Sequence, residues 1–248
     1  MTEHLPAQLH HETFTNRTLR ASRFISCDFV DVVIRGSDIA GMELDSPWLL
    51  EGGSSLLVNG VNVVPLVDAE LNRRFPGREL RGAEDPEGLR AAWESVERSW
   101  AATLARARRM PEGTVDVSVA GEWSLAQTLR HLVMATDTWL GRAILRRAQP
   151  YHPAGLANDD GESDAYDSTV FSVDVPTFEE VLAVRAGRQA MVRTFLAGIT
   201  AEQLEERRQN PHSAGQAETV LSCLRTILEE EWEHHRYAVR DLDSMAAG

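Results

Sequence analysis

Glu231 and His235 stand four residues apart in the segment EEEWEHHRYAVRDL. The apolar stripe leading into this segment steps through Leu224, Ile227 and Leu228, then resumes at Val239 and Leu242. Filling in the intervening turns at the helical angle puts Glu231 and His235 at inward positions. A carboxylate or an imidazole buried without a partner costs several kcal/mol. A shared cation removes that cost, and i, i+4 spacing sets both side chains over one point. The neighbouring pair Glu230/His234 has the same spacing but lies about 100° around the helix, so the stripe favours Glu231/His235. The competing explanation is a charged helix face that serves solubility.

A metal site needs further ligands. His131, in GEWSLAQTLRHLVMATDTWL, is the one histidine inside any other predicted helix. It lies on the flank of its apolar stripe, near Thr128, Ala135 and Trp139. Helical geometry alone therefore leaves a ligand and a satisfied core histidine equally open. The histidines at 4, 10, 11, 152 and 212 fall in predicted loops, and His152 sits in a loop long enough to fold over a site.

The elements that must position these groups are helical. Asp85-Pro86 starts the first helix, whose core side is Leu89, Trp93, Val96, Trp100 and Leu104. Ser124 caps a second, carrying Leu125, Leu129, Leu132, Val133, Trp139, Leu140 and Ile144. Thr177 caps a third, and a fourth runs from about Gln216 to Asp243. Four amphipathic helices of this length predict a four-helix bundle. The acidic stretch 149–175 between the second and third helices has the length of a lid or of a disordered segment, and its polarity favours a lid.

Ahead of the helices the period changes to five. Phe14, Leu19, Phe24, Phe29, Ile34, Ile39, Leu44 and Leu49 recur without a slip, with Ser22, Cys27, Val32 and Ser37 two positions earlier. Neither a helix nor a flat strand has this spacing. A square β-solenoid with one large inward side chain per face does, although a loose β meander would also accommodate it. The run resembles the pentapeptide-repeat family, with Arg17 and Pro47 as departures at the small position. Asn59-Gly60 between LLV and VNVV predicts a hairpin with a type I′ turn, which would cap the solenoid. The Pro/Gly/charge-rich stretch FPGRELRGAEDPEG places the expected domain boundary near 76–86. The sequence thus predicts an α+β chain, with solenoid and hairpin in 1–80 and the bundle in 81–248.

Composition narrows the functions. The net charge of −13 argues against binding a phosphate backbone. All 25 basic side chains are arginine, which excludes a lysine Schiff base and a P-loop lysine. The two cysteines, Cys27 and Cys223, form no CxxC pair and read as packing residues. There is no run approaching a membrane span and no signal-like leader, so a cytoplasmic protein is expected.

GEWSxxxTLRHL followed by ExxxHHRYAVRDL resembles the DinB-like superfamily of four-helix bundles, which includes the mycothiol-dependent maleylpyruvate isomerases. The resemblance covers roughly residues 87–245 and leaves the five-residue run outside it. It implies one divalent metal held by a second-helix histidine and a fourth-helix pair four residues apart. His131 matches the former, and His235 followed by Arg236 matches the His-Arg of the latter. Glu231 stands where many members have histidine and the thiol-dependent branch has glutamate. Three protein ligands with an open position imply catalytic zinc, with mycothiol as the co-substrate whose thiolate attacks a small electrophile in a transfer or an isomerisation. Arg236 and Arg240 are candidates for binding a carboxylate of thiol or substrate, or else simply solvated. The partners expected are that thiol and a small molecule, with no nucleic acid or membrane and with a homodimer as an option. Two other functions compete: hydrolysis by a metal-bound hydroxide, and a non-enzymatic acidic pentapeptide-repeat module that sequesters DNA-binding proteins by resembling DNA.

Overall fold

The computed structural model describes residues 9, 11–50, 53–157, 168–171, 174–213 and 215–247. The chain divides into two compact units, Met1–Asp45 and Ser46–Gly248. The division therefore falls well before residues 76–86, because those residues pack against the helices that follow them.

In the first unit the five-residue period is written into the backbone. His11, Asn16, Ala21, Ser26, Asp31, Gly36 and Gly41 all have positive φ, one at every fifth residue. Backbone turns close at intervals of ten, as in Ser22 N–H to Leu19 O, Val32 N–H to Phe29 O and Met42 N–H to Ile39 O. No β-strand occurs among the described residues of this unit. Phe24 and Phe29 meet edge to face, with ring centroids 5.3 Å apart. The expected burial of the large residues is not realised, since their exposure runs from 48% at Phe29 to 61% at Phe14. So short a unit has little chain to lay over its own apolar side chains.

The second unit opens with a 3₁₀ turn at Pro47–Leu50, which takes Leu49 out of the five-residue run, and then forms the predicted hairpin. Strands β1 (Leu57–Val58) and β2 (Val61–Asn62) pair antiparallel. Asn59 and Gly60 between them have φ of 50° and 81°, the two positive values that a type I′ turn requires. Pro65 does not simply end the second strand. It lies in the first turn of helix α1 (Val64–Arg74), where its missing N–H is no loss, and that helix was not expected. A 3₁₀ turn at Arg78–Gly82 then leads into the bundle.

Helix α2 (Pro86–Ala107) is capped as expected, with the Asp85 carboxylate accepting from the N–H groups of Glu87 and Gly88. Helix α3 (Leu125–Thr136) starts with a capping box between Ser124 and Gln127, and continues as a π-helical segment, Asp137–Ile144. Helix α4 (Phe178–Gly198) starts with a second capping box, between Thr177 and Glu180. A short helix α5 (Ala201–Leu204) and a hairpin of β3 (Arg207–Gln209) and β4 (Ala217–Thr219) precede helix α6 (Val220–Ala247). The residues at 217–219, expected at the start of the last helix, are therefore strand.

The four long helices enclose the core. Helix α2 packs on α4 and α6, and α3 packs on the same two. Trp93, Trp100, Leu129, Leu132, Leu140, Val181, Leu224, Leu228, Trp232 and Leu242 are each 2% exposed or less. Asp137, at the start of the π segment, accepts from Arg188 of α4 at 2.6 and 3.0 Å and from the His152 N–H at 2.9 Å. Arg130 donates to the carbonyls of Ala154 and Gly155. These bonds fasten the start of the 149–175 segment to α3. The middle of that segment, where a lid was expected, lies outside the described residues, as do His4 and His10. No helix among the described residues is long and apolar enough to cross a membrane.

Candidate metal centre

His131 is held by the phase of α3. Nearly every residue of this helix is buried, and His131 is 5% exposed on the side that meets α6. Its Nε2 lies 3.1 Å from Oε2 of Glu230. One turn along α6, His234 Nε2 lies 3.2 Å from the same oxygen. Among the described residues, His131, Glu230 and His234 bring one nitrogen or oxygen donor each to within 4.8 Å of one another. Glu230 keeps about a third of its side chain exposed, whereas His234 keeps 16%. The cluster therefore has one open side, on the carboxylate.

The electrostatics suit a cation. Burial pushes the Glu230 carboxyl upward, but hydrogen bonds from His131 and His234 outweigh it and hold the group well below the usual carboxylate range. Burial, reinforced by the nearby His131, lowers His234 against the pull of Glu230, which favours its neutral, ligating form. His131 Nδ1 is buried and has no partner among the described residues. The donor set fits a divalent ion, since two imidazoles and one carboxylate are zinc-type ligands.

Trp123 forms a wall of this cluster. Its ring centroid is 4.8 Å from that of His131 and 6.0 Å from that of His234, nearly parallel to the latter. A left-handed pair, Ala120 and Gly121, turns the chain just before it, and Ser124 starts α3 just after it. The aromatic residue preceding an N-cap was the signal that reading the sequence for ligands missed.

The pair favoured by the apolar stripe sits elsewhere. Glu231 and His235 are indeed core residues, at 1% and 6% exposure. Glu231 forms a buried ion pair with Arg185 of α4. His235 Nε2 lies 2.8 Å from the Thr103 hydroxyl on α2, and burial brings its pKa down to about 4. Neither belongs to the cluster around His131, whose donors on α6 come from the neighbouring pair. The stripe identified which α6 residues are deepest, yet the side of the helix that meets α3 is its flank.

Arg236 and Arg240 already have partners. Arg236 pairs with Glu233, and Arg240 pairs with Glu122 and with Asp241. Both guanidinium groups lie over the Tyr237 ring, at 4.3 and 5.0 Å. Cys223 is fully buried on α6, whereas Cys27 is exposed rather than packed inside.

A helical bundle with a His/Glu/His cluster shared between two of its helices defines a class of candidate metalloproteins. A family model for the DinB superfamily matches residues 95–238, and the chain belongs to that superfamily. Neither the curated proteins nor the solved structures compared with it gave a match.

Proposed function

We propose that this protein is a metal-dependent enzyme whose divalent ion, zinc by donor type, is held by His131, Glu230 and His234. The observation that carries the reading is the convergence of two imidazole nitrogens on one Glu230 oxygen, at 3.1 and 3.2 Å. When bound, zinc would supply a Lewis-acidic position that lowers the pKa of a water or thiol. The protein's own groups do the rest. Glu230 brings negative charge to the open side, burial favours the neutral form of His234, and Trp123 excludes water from one flank.

The co-substrate in this reading is a low-molecular-weight thiol such as mycothiol. Its sulfur would attack a small electrophile, in an S-transfer or an isomerisation. Superfamily membership and the open side of the cluster support the use of an exogenous ligand, and thiolate is among the ligands zinc favours. Arg236 and Arg240 take part as carboxylate contacts only by exchanging the carboxylates they now hold. The first unit belongs to the same proposal as a short pentapeptide-repeat solenoid, supported by the left-handed residue at every fifth position.

The test is metal analysis of the purified full chain, followed by cobalt(II) substitution with and without mycothiol. The reading expects about one ion per chain. It also expects a sulfur-to-cobalt charge-transfer band when thiol is added. One ion per chain with no thiol band would favour a metal-hydroxide hydrolase, and no ion at all would overturn the enzymatic reading.

A further inference from the structure

Helix α6 carries two carboxylate–histidine pairs of identical spacing, displaced by one residue. Glu230 and His234 face His131 on α3, while Glu231 and His235 are held by α4 and α2. One residue of displacement is about 100° of rotation. Rotating α6 by that amount would offer an equivalent pair to α3, so something must select the rotation. Leu224, Ile227, Leu228 and Leu242 set the gross rotation, since turning them out of the core would expose each of them, but non-directional apolar contacts leave smaller rotations open.

The buried polar contacts are directional. Arg185 and Glu231 pair with side-chain exposures of 3% and 1%. Arg185 Nε and Nη1 have no hydrogen-bond partner among the described residues, whereas the Glu231 carboxylate also has the Trp100 indole beside it. A pair this incompletely satisfied is a poor device for stability, and fixing register is the best-attested use of such pairs. Turned by one residue, α6 would leave Arg185 charged and buried without a counterion. The His235 ring adds a second stop. It is boxed edge-on by Trp100, Trp232 and Phe75, at 5.0, 5.8 and 5.8 Å, and touches Thr103.

We infer that Arg185 is a positioning residue for the metal centre: through Glu231 it sets the rotation of α6 that brings Glu230 and His234 to His131. The inference rests on the reading of those three residues as metal ligands. It assigns the second pair on α6 a task of its own, holding the first in place.

The test uses the full chain with Arg185→Met and Glu231→Met combined, an apolar replacement that removes the pair without stranding a charge. Cobalt(II) alone is the probe, with affinity measured by chelator competition alongside the visible spectrum and the denaturant midpoint. The expected result is a folded variant, with a midpoint close to that of the unaltered chain, that binds cobalt at least about ten-fold more weakly, the size of loss typical when support behind a ligand is removed. Its visible band should also be altered. A folded double variant with unchanged affinity and spectrum would overturn the inference. A metal-free readout separates this from the reading beneath it. NOEs between the rings of His131 and His234, whose centroids are 4.5 Å apart, should be present in the unaltered chain and weakened in the double variant. If those NOEs behave as expected while the unaltered chain binds no cobalt, the metal reading fails and the positioning role stands.

Discussion

The indole of Trp123 lies against the imidazole of His131, with ring centroids 4.8 Å apart. An open-shell ion bound at His131 would therefore have an aromatic fluorophore beside one of its ligands. Copper(II) or cobalt(II) should quench part of the tryptophan emission in a saturable way, and zinc should displace the quencher. Trp123→Phe should abolish most of that quenching, since the packing is kept and the nearest indole is lost. Quenching that survives in the Trp123→Phe variant would locate the ion elsewhere.

The two pairs on α6 should fail in different ways. Zinc at a hundred times its dissociation constant should stabilise the fold by about 2.7 kcal/mol. His234→Ala should remove that increment and change the metal-free midpoint little, because His234 lies on the flank of the core; Glu230→Ala should remove it too, with a modest metal-free loss from the two histidine contacts it gives up. Glu231→Ala should instead lower the metal-free stability by about 3–5 kcal/mol, the usual consequence of leaving one member of a buried ion pair alone. Thermal unfolding with zinc and with chelator measures both quantities. Equal effects from Glu230→Ala and Glu231→Ala would contradict the separation.

Much of this architecture was legible in the sequence because local chemistry decides it. Asp85, Ser124 and Thr177 each satisfy orphan N–H groups, so they mark helix starts whatever the tertiary context. Asn59-Gly60 fixes its own turn. The pair on α6 that joins the candidate metal cluster was only half legible. Spacing and burial pointed to α6, and Glu231 and His235 are as deeply buried as the stripe implies. Which of two adjacent pairs meets α3 depends on how three helices are arranged around α6, which no periodicity within α6 encodes. Arg185 illustrates the same limit, as an arginine inside a helix gives no sign in the sequence that it is 2% exposed. Helix α1 was missed for another reason: Pro65 after VNVV reads equally as the end of a strand or the first turn of a helix.

Gly77 should not tolerate a side chain. Its φ is +96°, and a Cβ built there would fall 1.7 Å from Ser95 Oγ and 2.7 Å from Ser95 Cβ on α2. The left-handed backbone alone costs a non-glycine residue roughly 1–2 kcal/mol. The clash with α2 adds to that, because the nearby Ser95 Cβ leaves no rotamer that clears it. Gly77→Ala should therefore lower the denaturant midpoint by more than about 2 kcal/mol of stability. Combining it with Ser95→Ala should recover only part of the loss, since the Cβ–Cβ contact remains. Full recovery in the double variant would contradict both the backbone cost and the Cβ–Cβ contact.

The two cysteines should separate cleanly in thiol titrations. Cys27 is exposed, while Cys223 is 0% exposed near the start of α6, and burial, assisted by Glu218, pushes its thiol up to about 12. At pH 8 roughly one Cys223 in ten thousand would be thiolate, and even that fraction is shielded by the β3–β4 hairpin and the core. Folded protein should therefore react with one equivalent of a disulfide reagent, and denatured protein with two. The slow second equivalent should follow global unfolding, with the same denaturant dependence as the helical signal. Cys27→Ser should leave only the slow phase. If Cys223 instead reacts much faster than the helices melt, the first turns of α6 and the hairpin open as a separate unit, and α6 is anchored mainly by its middle, where Glu231 and His235 are gripped by α4 and α2.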